Sequence, residues 1–343
     1  MLLLLAGCQA TNPTDDPTPT DTVPVPTDAV TGETGHSGAG ESAAHTGGPS
    51  LGVWVTGTEL PLPIQEIGVA ALDGEVVSVG GFVSSGAFVA TTLAYDPVVG
   101  SWRQLADVPE RMHHAVVATL DGTLYVLGSL GQGFRANGHS WAYDPVADAW
   151  TARASLPAGT ERGGGVAVVV DGRIHVVGGI RGGQALGEHH VYDPTTDSWS
   201  AAAPMPTPRD HLVGGWVGGM LVAAGGRFID SDEPIDVVER WDPVSDTWST
   251  GAPMPTARGG LAGCVVGDAL LTFAGEGDHH DEHGVFDQTE AYDPVLDRWT
   301  SLAPMPTPRH GTGAALVDGV VWIPGGGSHQ SLEPSATVEG FVP

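Results

Sequence analysis

Six tryptophans divide most of this 343-residue chain into near-equal intervals. Trp54, Trp102, Trp150, Trp199, Trp248 and Trp299 stand 48 to 51 residues apart, and a proline follows each one seven residues later. A period of this length means that one supersecondary unit recurs and buries its faces against its own copies. Other residues keep the same register. An aromatic residue opens an Asp-Pro turn at Tyr95, Tyr143, Tyr192, Trp241 and Tyr292, and Phe341 fills the sixth slot without Asp-Pro. Two-residue turns recur at Asp73-Gly74, Asp121-Gly122, Asp171-Gly172, Gly218-Gly219, Gly267-Asp268 and Asp318-Gly319. Double glycines follow at Gly80-Gly81, Gly178-Gly179, Gly225-Gly226 and Gly325-Gly326, with Gly128-Ser129 and Gly275-Glu276 read as their weakened counterparts.

Each unit reads as four short strands. An apolar run such as Ala115–Leu120 leads into an Asp-Gly turn, whose positive φ suits a tight hairpin, and a second run ends at the glycine pair. A variable loop, a strand ending in the tyrosine, the Asp-Pro turn and the tryptophan strand complete the unit. The 51 glycines and 27 prolines fit an all-β chain of many tight turns.

This pattern resembles the Kelch repeat over residues 51–343, in its double glycine, spaced tyrosine and tryptophan, and the Pro-Met-Pro-Thr-Pro-Arg connection at 204–209. The resemblance implies an all-β, six-bladed β-propeller around a central channel. The two ends of the array complement each other. The first unit begins with a tryptophan strand and the last lacks one, so the strand around Trp54 is expected to complete the C-terminal blade and close the ring.

Residues ahead of the array address location. Leu5-Ala6-Gly7-Cys8 resembles the bacterial lipobox, with residues 1–8 as part of a signal peptide and Cys8 as the acylated residue. The missing basic n-region places the true start upstream, and Gln9 after the cysteine leans toward an outer membrane or cell surface. Residues 9–50 are Thr, Pro, Asp, Gly and Ser with little apolar content, which predicts a disordered tether. With 41 acidic against 13 basic residues, a net charge of −28 opposes nucleic-acid binding and leaves the lipid as the route to a membrane. The second cysteine, Cys264, lies in an apolar run and reads as a small buried residue.

Strand parity puts the variable loops and the blade-to-blade connections on one rim, where binding residues concentrate. Arg111, Arg162, Arg209, Arg258 and Arg309 fall there, with Ile64 aligned in the blade without arginine, and His113, His114, His211 and His310 stand beside them. Two readings follow. The arginines form an anion-clamping ring at the channel mouth, or they pair between blades with Glu239, Glu290 and Glu339. His279, His280, Asp281 and His283 form a weak metal candidate in one loop.

The expected function is a tethered, monomeric binding module that recognises a protein or glycan through its loop-rich rim, with no cofactor and no assigned catalytic residue. The alternative is an extracytoplasmic enzyme acting on sugar acids, resembling the Kelch-type sialic acid epimerases, with acid–base groups drawn from His113, His114, His211 or Glu66. An enzyme should show a deep polar pocket with a histidine or glutamate beside an arginine. A binder should show a broad, shallow face.

Overall fold

The structure is a computed structural model that describes residues 51–228 and 233–343. The lipobox, Cys8 and the 9–50 tract lie outside the described residues. Six four-stranded antiparallel sheets form the blades of a closed propeller. Blade 1 comprises Gly68–Leu72, Glu75–Val79, Thr92–Asp96 and Ser101–Gln104. Blade 2 comprises Val117–Leu120, Thr123–Gly131, Arg135–Asp144 and Ala149–Arg153. Blade 3 runs from Val166 to Ala201, blade 4 from Val213 to Thr250 and blade 5 from Ala262 to Ser301. Blade 6 takes Ala315–Val317, Val320–Pro324 and Val338–Val342 from the end of the chain and Val53–Thr56 from its start. Among the described residues no helix is long and apolar enough to cross a membrane.

The closing strand pairs as expected, with Trp54 opposite Phe341 and Thr56 opposite Glu339. The Trp54 ring packs on Phe341 at 5.1 Å between centroids, and its Nε1 donates to the Ala303 carbonyl of blade 5 at 2.9 Å. Every repeat tryptophan makes this bond. Trp102, Trp150, Trp199, Trp248 and Trp299 donate to the carbonyls of Thr58, Ala106, Ala154, Ala203 and Ala252. In four cases the same alanine or its equivalent donates its own N–H to an aspartate of the next blade: Asp148, Asp197, Asp246 or Asp297. The recurrence of tryptophan therefore has a physical cause. It provides a wide apolar face inside the sheet and a single N–H that latches one blade to its neighbour.

Between blades lie six apolar clusters, one for each junction of the ring. A unit that buries apolar surface on both faces only when flanked by two neighbours is stable only in a closed array. The double glycines let adjacent blades come together. A Cβ at Gly80 would lie 2.7 Å from the Met112 carbonyl oxygen, and one at Gly325 would lie 2.6 Å from that of Ile64.

Two alignments change. In blade 5 the glycine-pair slots belong to Ala274 and Gly275, because Gly275 N–H bonds the Arg309 carbonyl as Gly226 N–H bonds that of Arg258. Ala274 takes the first slot at φ +55. Glu276 is therefore the residue after the pair and not part of it. In blade 2 the slot of the buried arginines belongs to Met112, whose carbonyl receives Gly81 N–H, and Arg111 beside it is exposed.

Candidate functional site at the channel mouth

Where each blade-to-blade connection reaches the axis, one residue takes a left-handed backbone conformation. These residues are Glu66, His114, Gly164, His211, Gly260 and Gly311, with φ between +53 and +64. Their main chains form a closed ring of hydrogen bonds. His114 N–H donates to Glu66 O, Gly164 to His114, His211 to Gly164, Gly260 to His211, Gly311 to Gly260, and Glu66 to Gly311, over 2.5 to 3.0 Å. Glycine adopts this geometry freely, and a side chain there costs on the order of 1 kcal/mol. Three blades use glycine. The other three carry a glutamate and two histidines, and these three side chains converge.

Glu66 Oε2 lies 3.2 Å from His114 Nε2 and 3.7 Å from His211 Nε2, and the two histidine nitrogens are 3.0 Å apart. Residues one position earlier in the chain support them. His113 Nδ1 is 2.6 Å from His114 Nδ1, and its Nε2 meets the Gly131 carbonyl at 3.1 Å. Asp210, fully buried, bonds His211 Nδ1. Residues after the glycine pairs complete the mouth. Arg227 reaches Glu276 Oε1 at 2.6 Å, Asp210 Oδ1 at 3.3 Å and His211 Nε2 at 3.3 Å. His310 places Nδ1 3.2 Å from Glu276 and faces the His329 carbonyl with Nε2.

Burial lowers the His113 pKa to about 4 and sets that of His114 well below the ordinary value, with His211 adding to the effect in both. At His211 burial and Arg227 act downward, and the Asp210 and Glu66 carboxylates outweigh them, so its pKa is raised. Burial opposes ionisation of Glu276, and His310 and Arg227 overcome it, so its pKa is lowered.

The mouth opens into a cleft of ≈ 380 Å³ walled by Phe82, Phe134 and Leu332 over Glu66, His114, Arg227, Glu276 and His310. A second hollow of ≈ 360 Å³ shares Phe82 and Phe134 with it. A groove of ≈ 1140 Å³ between the loops of blades 1 to 3 shares Phe88, Arg111, Gly131 and Gln132 with that hollow. The three hollows thus adjoin one another through shared wall residues. Below the ring the channel is lined by glycine and apolar residues such as Ile67, Val69, Val166 and Val213.

The sequence-predicted residues separate into two groups. His113, His114, His211 and His310 do gather at the mouth, with Glu66. The arginines do not form a clamp. Arg162, Arg209, Arg258 and Arg309 are fully buried inside blades, where Arg209 pairs with Glu239 at 2.5 Å, Arg258 with Glu290 at 2.7 Å and Arg309 with Glu339 at 2.8 Å. Arg162 faces Glu188 at 3.4 Å. Their side chains turn into the sheet because the backbone at that position points away from the axis, and the glutamates two residues before the third-strand aromatic offer the countercharge. Arg111 lines the outer groove. The loop candidates also stay apart. His280 and His283 bond Asp278 and Asp281 through their main-chain N–H groups, and His283 turns to His329. Among the described residues the three-ligand convergence is Glu66, His114 and His211. Cys264 is mostly covered, with its thiol pushed up to about 11 by burial, as suits an unreactive strand residue.

Asp210, Arg227 and Glu276 escaped the sequence reading. Counting two residues on from each buried arginine, and from Ile64 and Met112, would have found the ring. The residue after Gly225-Gly226 is Arg227, and the residue after Ala274-Gly275, which fill the same slots in blade 5, is Glu276.

A closed ring of six four-stranded blades joined by tryptophan latches, with one polar cluster at its axis, defines a Kelch-type propeller. The model of the Kelch motif matches residues 66–109, 161–206, 212–255 and 257–306, together more than half of the sequence. The chain belongs to the Kelch-repeat family. It is 32% identical over 202 residues to the Kelch-like protein terF of Aspergillus terreus, an alignment covering 55% of this chain and 43% of that protein. The chain thus matches less than half the length of that relative. The solved structure of YjhT superposes with a TM-score of 0.68 at 17% identity, over 82% of this chain and 95% of that one.

Proposed function

We propose that the protein is a binding module that holds an extended neutral glycan along its loop-rich rim, with the chain end seated in the channel mouth. The observation that carries this reading is the succession of adjoining hollows from the outer groove past Phe88, Phe82 and Phe134 to the axial cluster. A row of hollows with aromatic walls suits a chain of flat-faced rings, and the polar groups of Glu110, Asn137 and His139 line the outer one. Among the fixed charges of the mouth the carboxylates of Glu66, Asp210 and Glu276 outnumber the Arg227 guanidinium, which favours a neutral sugar over a sugar acid. Calorimetric titration of the full chain with neutral cell-envelope oligosaccharides of one to four units tests this. Affinity should rise with length, and Phe134→Ala should lower it about 10-fold. Affinity independent of both, or a preference for sialylated over neutral oligosaccharides, would reject it.

A catalytic reading has one observation of its own. In the mouth histidine and glutamate lie beside an arginine, as an enzyme acting on the chain end requires. Release or isomerisation of the terminal sugar would establish it.

The reading also places the propeller on the cell envelope through acylated Cys8, supported by Leu5-Ala6-Gly7-Cys8 and the polar tract after it. With an upstream signal region restored, the wild type should partition into detergent and Cys8→Ala should stay aqueous. Identical partitioning of the two would end that part of the proposal.

A further inference from the structure

We propose that Glu66, His114 and His211 form a binding site for one divalent transition-metal ion, of the zinc type, at the neck of the channel. The first argument is a count of protons. The Gly131 carbonyl can only accept, so His113 presents Nε2–H to it and keeps a lone pair on Nδ1. His114 must then donate from Nδ1, which leaves its Nε2 lone pair pointing to the axis. Asp210 takes the Nδ1–H of His211, so in the singly protonated ring Nε2 holds the lone pair. Two imidazole lone pairs and a carboxylate oxygen therefore face one point across 3.0 to 3.7 Å. Acceptors at such distances need a cation among them, either a proton on one imidazole or a metal ion.

Geometry and charge agree with an ion. Two ligand atoms 2.0–2.1 Å from a tetrahedral ion are about 3.3 Å apart, and the three observed separations bracket that value. Two nitrogens and one oxygen suit zinc better than calcium or magnesium, which take oxygen sets. Asp210 and His113 stand behind the two ligands as the outer hydrogen-bond partners that metal-binding histidines have. Three carboxylates against one guanidinium give the cluster a charge of −2 with neutral imidazoles, which one divalent ion balances. His310 adds an independent pointer. It is 3% exposed, and its Nδ1 lies between two carboxylates, 3.2 Å from Glu276 Oε2 and 3.7 Å from Glu66 Oε1. Glu66 and His114 also line the cleft, so the coordination sphere has an open side toward it. The left-handed backbone at all three positions, where the other blades keep glycine, is the cost of placing these ligands.

This inference stands apart from the glycan reading, because metal uptake needs no sugar. The test uses the full chain, purified without a histidine tag, stripped with a chelator and titrated with Zn²⁺ against a chromophoric competitor, and separately with Co²⁺. One equivalent per chain is expected, with visible Co²⁺ absorption of a four- or five-coordinate site. Glu66→Gly and His114→Gly install the residue that three blades already use there. They should fold and lose at least about 100-fold in affinity, and Asp210→Asn should lose about 10–100-fold. A His280→Ala/His283→Ala variant should bind as the wild type does. A stripped protein that takes up no metal would leave a proton as the only cation at the neck and overturn the proposal. So would uptake that Glu66→Gly leaves intact or that the His280/His283 variant abolishes.

Discussion

Glu66 and His114 meet twice, once in a main-chain hydrogen bond of 2.9 Å from His114 N–H to Glu66 O and once where Glu66 Oε2 lies 3.2 Å from His114 Nε2. The first bond belongs to the ring that closes the propeller's throat. The second belongs to the site. Scaffold and chemistry thus share the same residues, and the backbone geometry required by the first is unfavourable for the side chains required by the second.

Glu66→Gly should therefore stabilise the metal-free protein. It removes a left-handed non-glycine residue and one carboxylate from a negative cluster, a gain of about 1–2 kcal/mol. Urea unfolding of the chelator-treated proteins checks this, and a lower midpoint for the variant would contradict it.

The closing strand makes a second prediction. Trp54→Ala loses the Phe341 contact and the bond to Ala303, and should cost about 3 kcal/mol while unfolding stays a single transition. Deletion of residues 51–57 should abolish that single transition and expose the edge of Val338–Val342 to aggregation. Hydrogen exchange spread over all six blades, not confined to blade 6, is the expected signature.

A third concerns the buried ion pairs. Arg258 is fully buried and donates to Glu290 at 2.7 Å and to the Ala274 and Gln288 carbonyls. Glu290→Leu strands the guanidinium and should cost about 3–5 kcal/mol. Arg258→Met with Glu290→Leu should cost less than the single change. A double-mutant cycle in urea measures the difference.

Acid sensitivity supplies a fourth. His175 and His189 bond each other at 2.8 Å beneath Trp241, and burial lowers their pKa values to about 4 and about 3. The folded state resists protons that the unfolded chain accepts near the ordinary value of about 6.5. The unfolded chain therefore binds more protons as pH falls below 6.5, and stability declines until the folded pKa values are reached. The loss from pH 7 to pH 4 should be on the order of 3 kcal/mol or more. A His175→Leu/His189→Leu variant should show a correspondingly flatter pH profile in thermal unfolding.

Much of this fold was legible because its determinants are local and repeated. An Asp-Gly pair makes its turn from its own φ preferences, and a tryptophan at fixed offset makes the same latch in every blade. The complementary ends, at Trp54 and Phe341, pointed to closure from the sequence alone. The site was legible only in part. Glu66, His113, His114, His211 and His310 stood out by type, whereas Asp210, Arg227 and Glu276 did not. Misplacing the blade 5 pair by one residue hid Glu276 inside a structural motif, and choosing Arg111 over Met112 obscured the register that leads to His114.

The sequence by itself determined the number of blades, the order of strands and the way the ring is latched, since each follows from contacts that recur at constant spacing. Only the tertiary structure decided which polar residues meet. Glu66, His114 and His211 are separated by 48 and 97 positions in the chain, and what brings their side chains within reach is the curvature of a closed ring. The same curvature turned the arginines inward to their glutamates, because the residue two places later, not the arginine, holds the axial position.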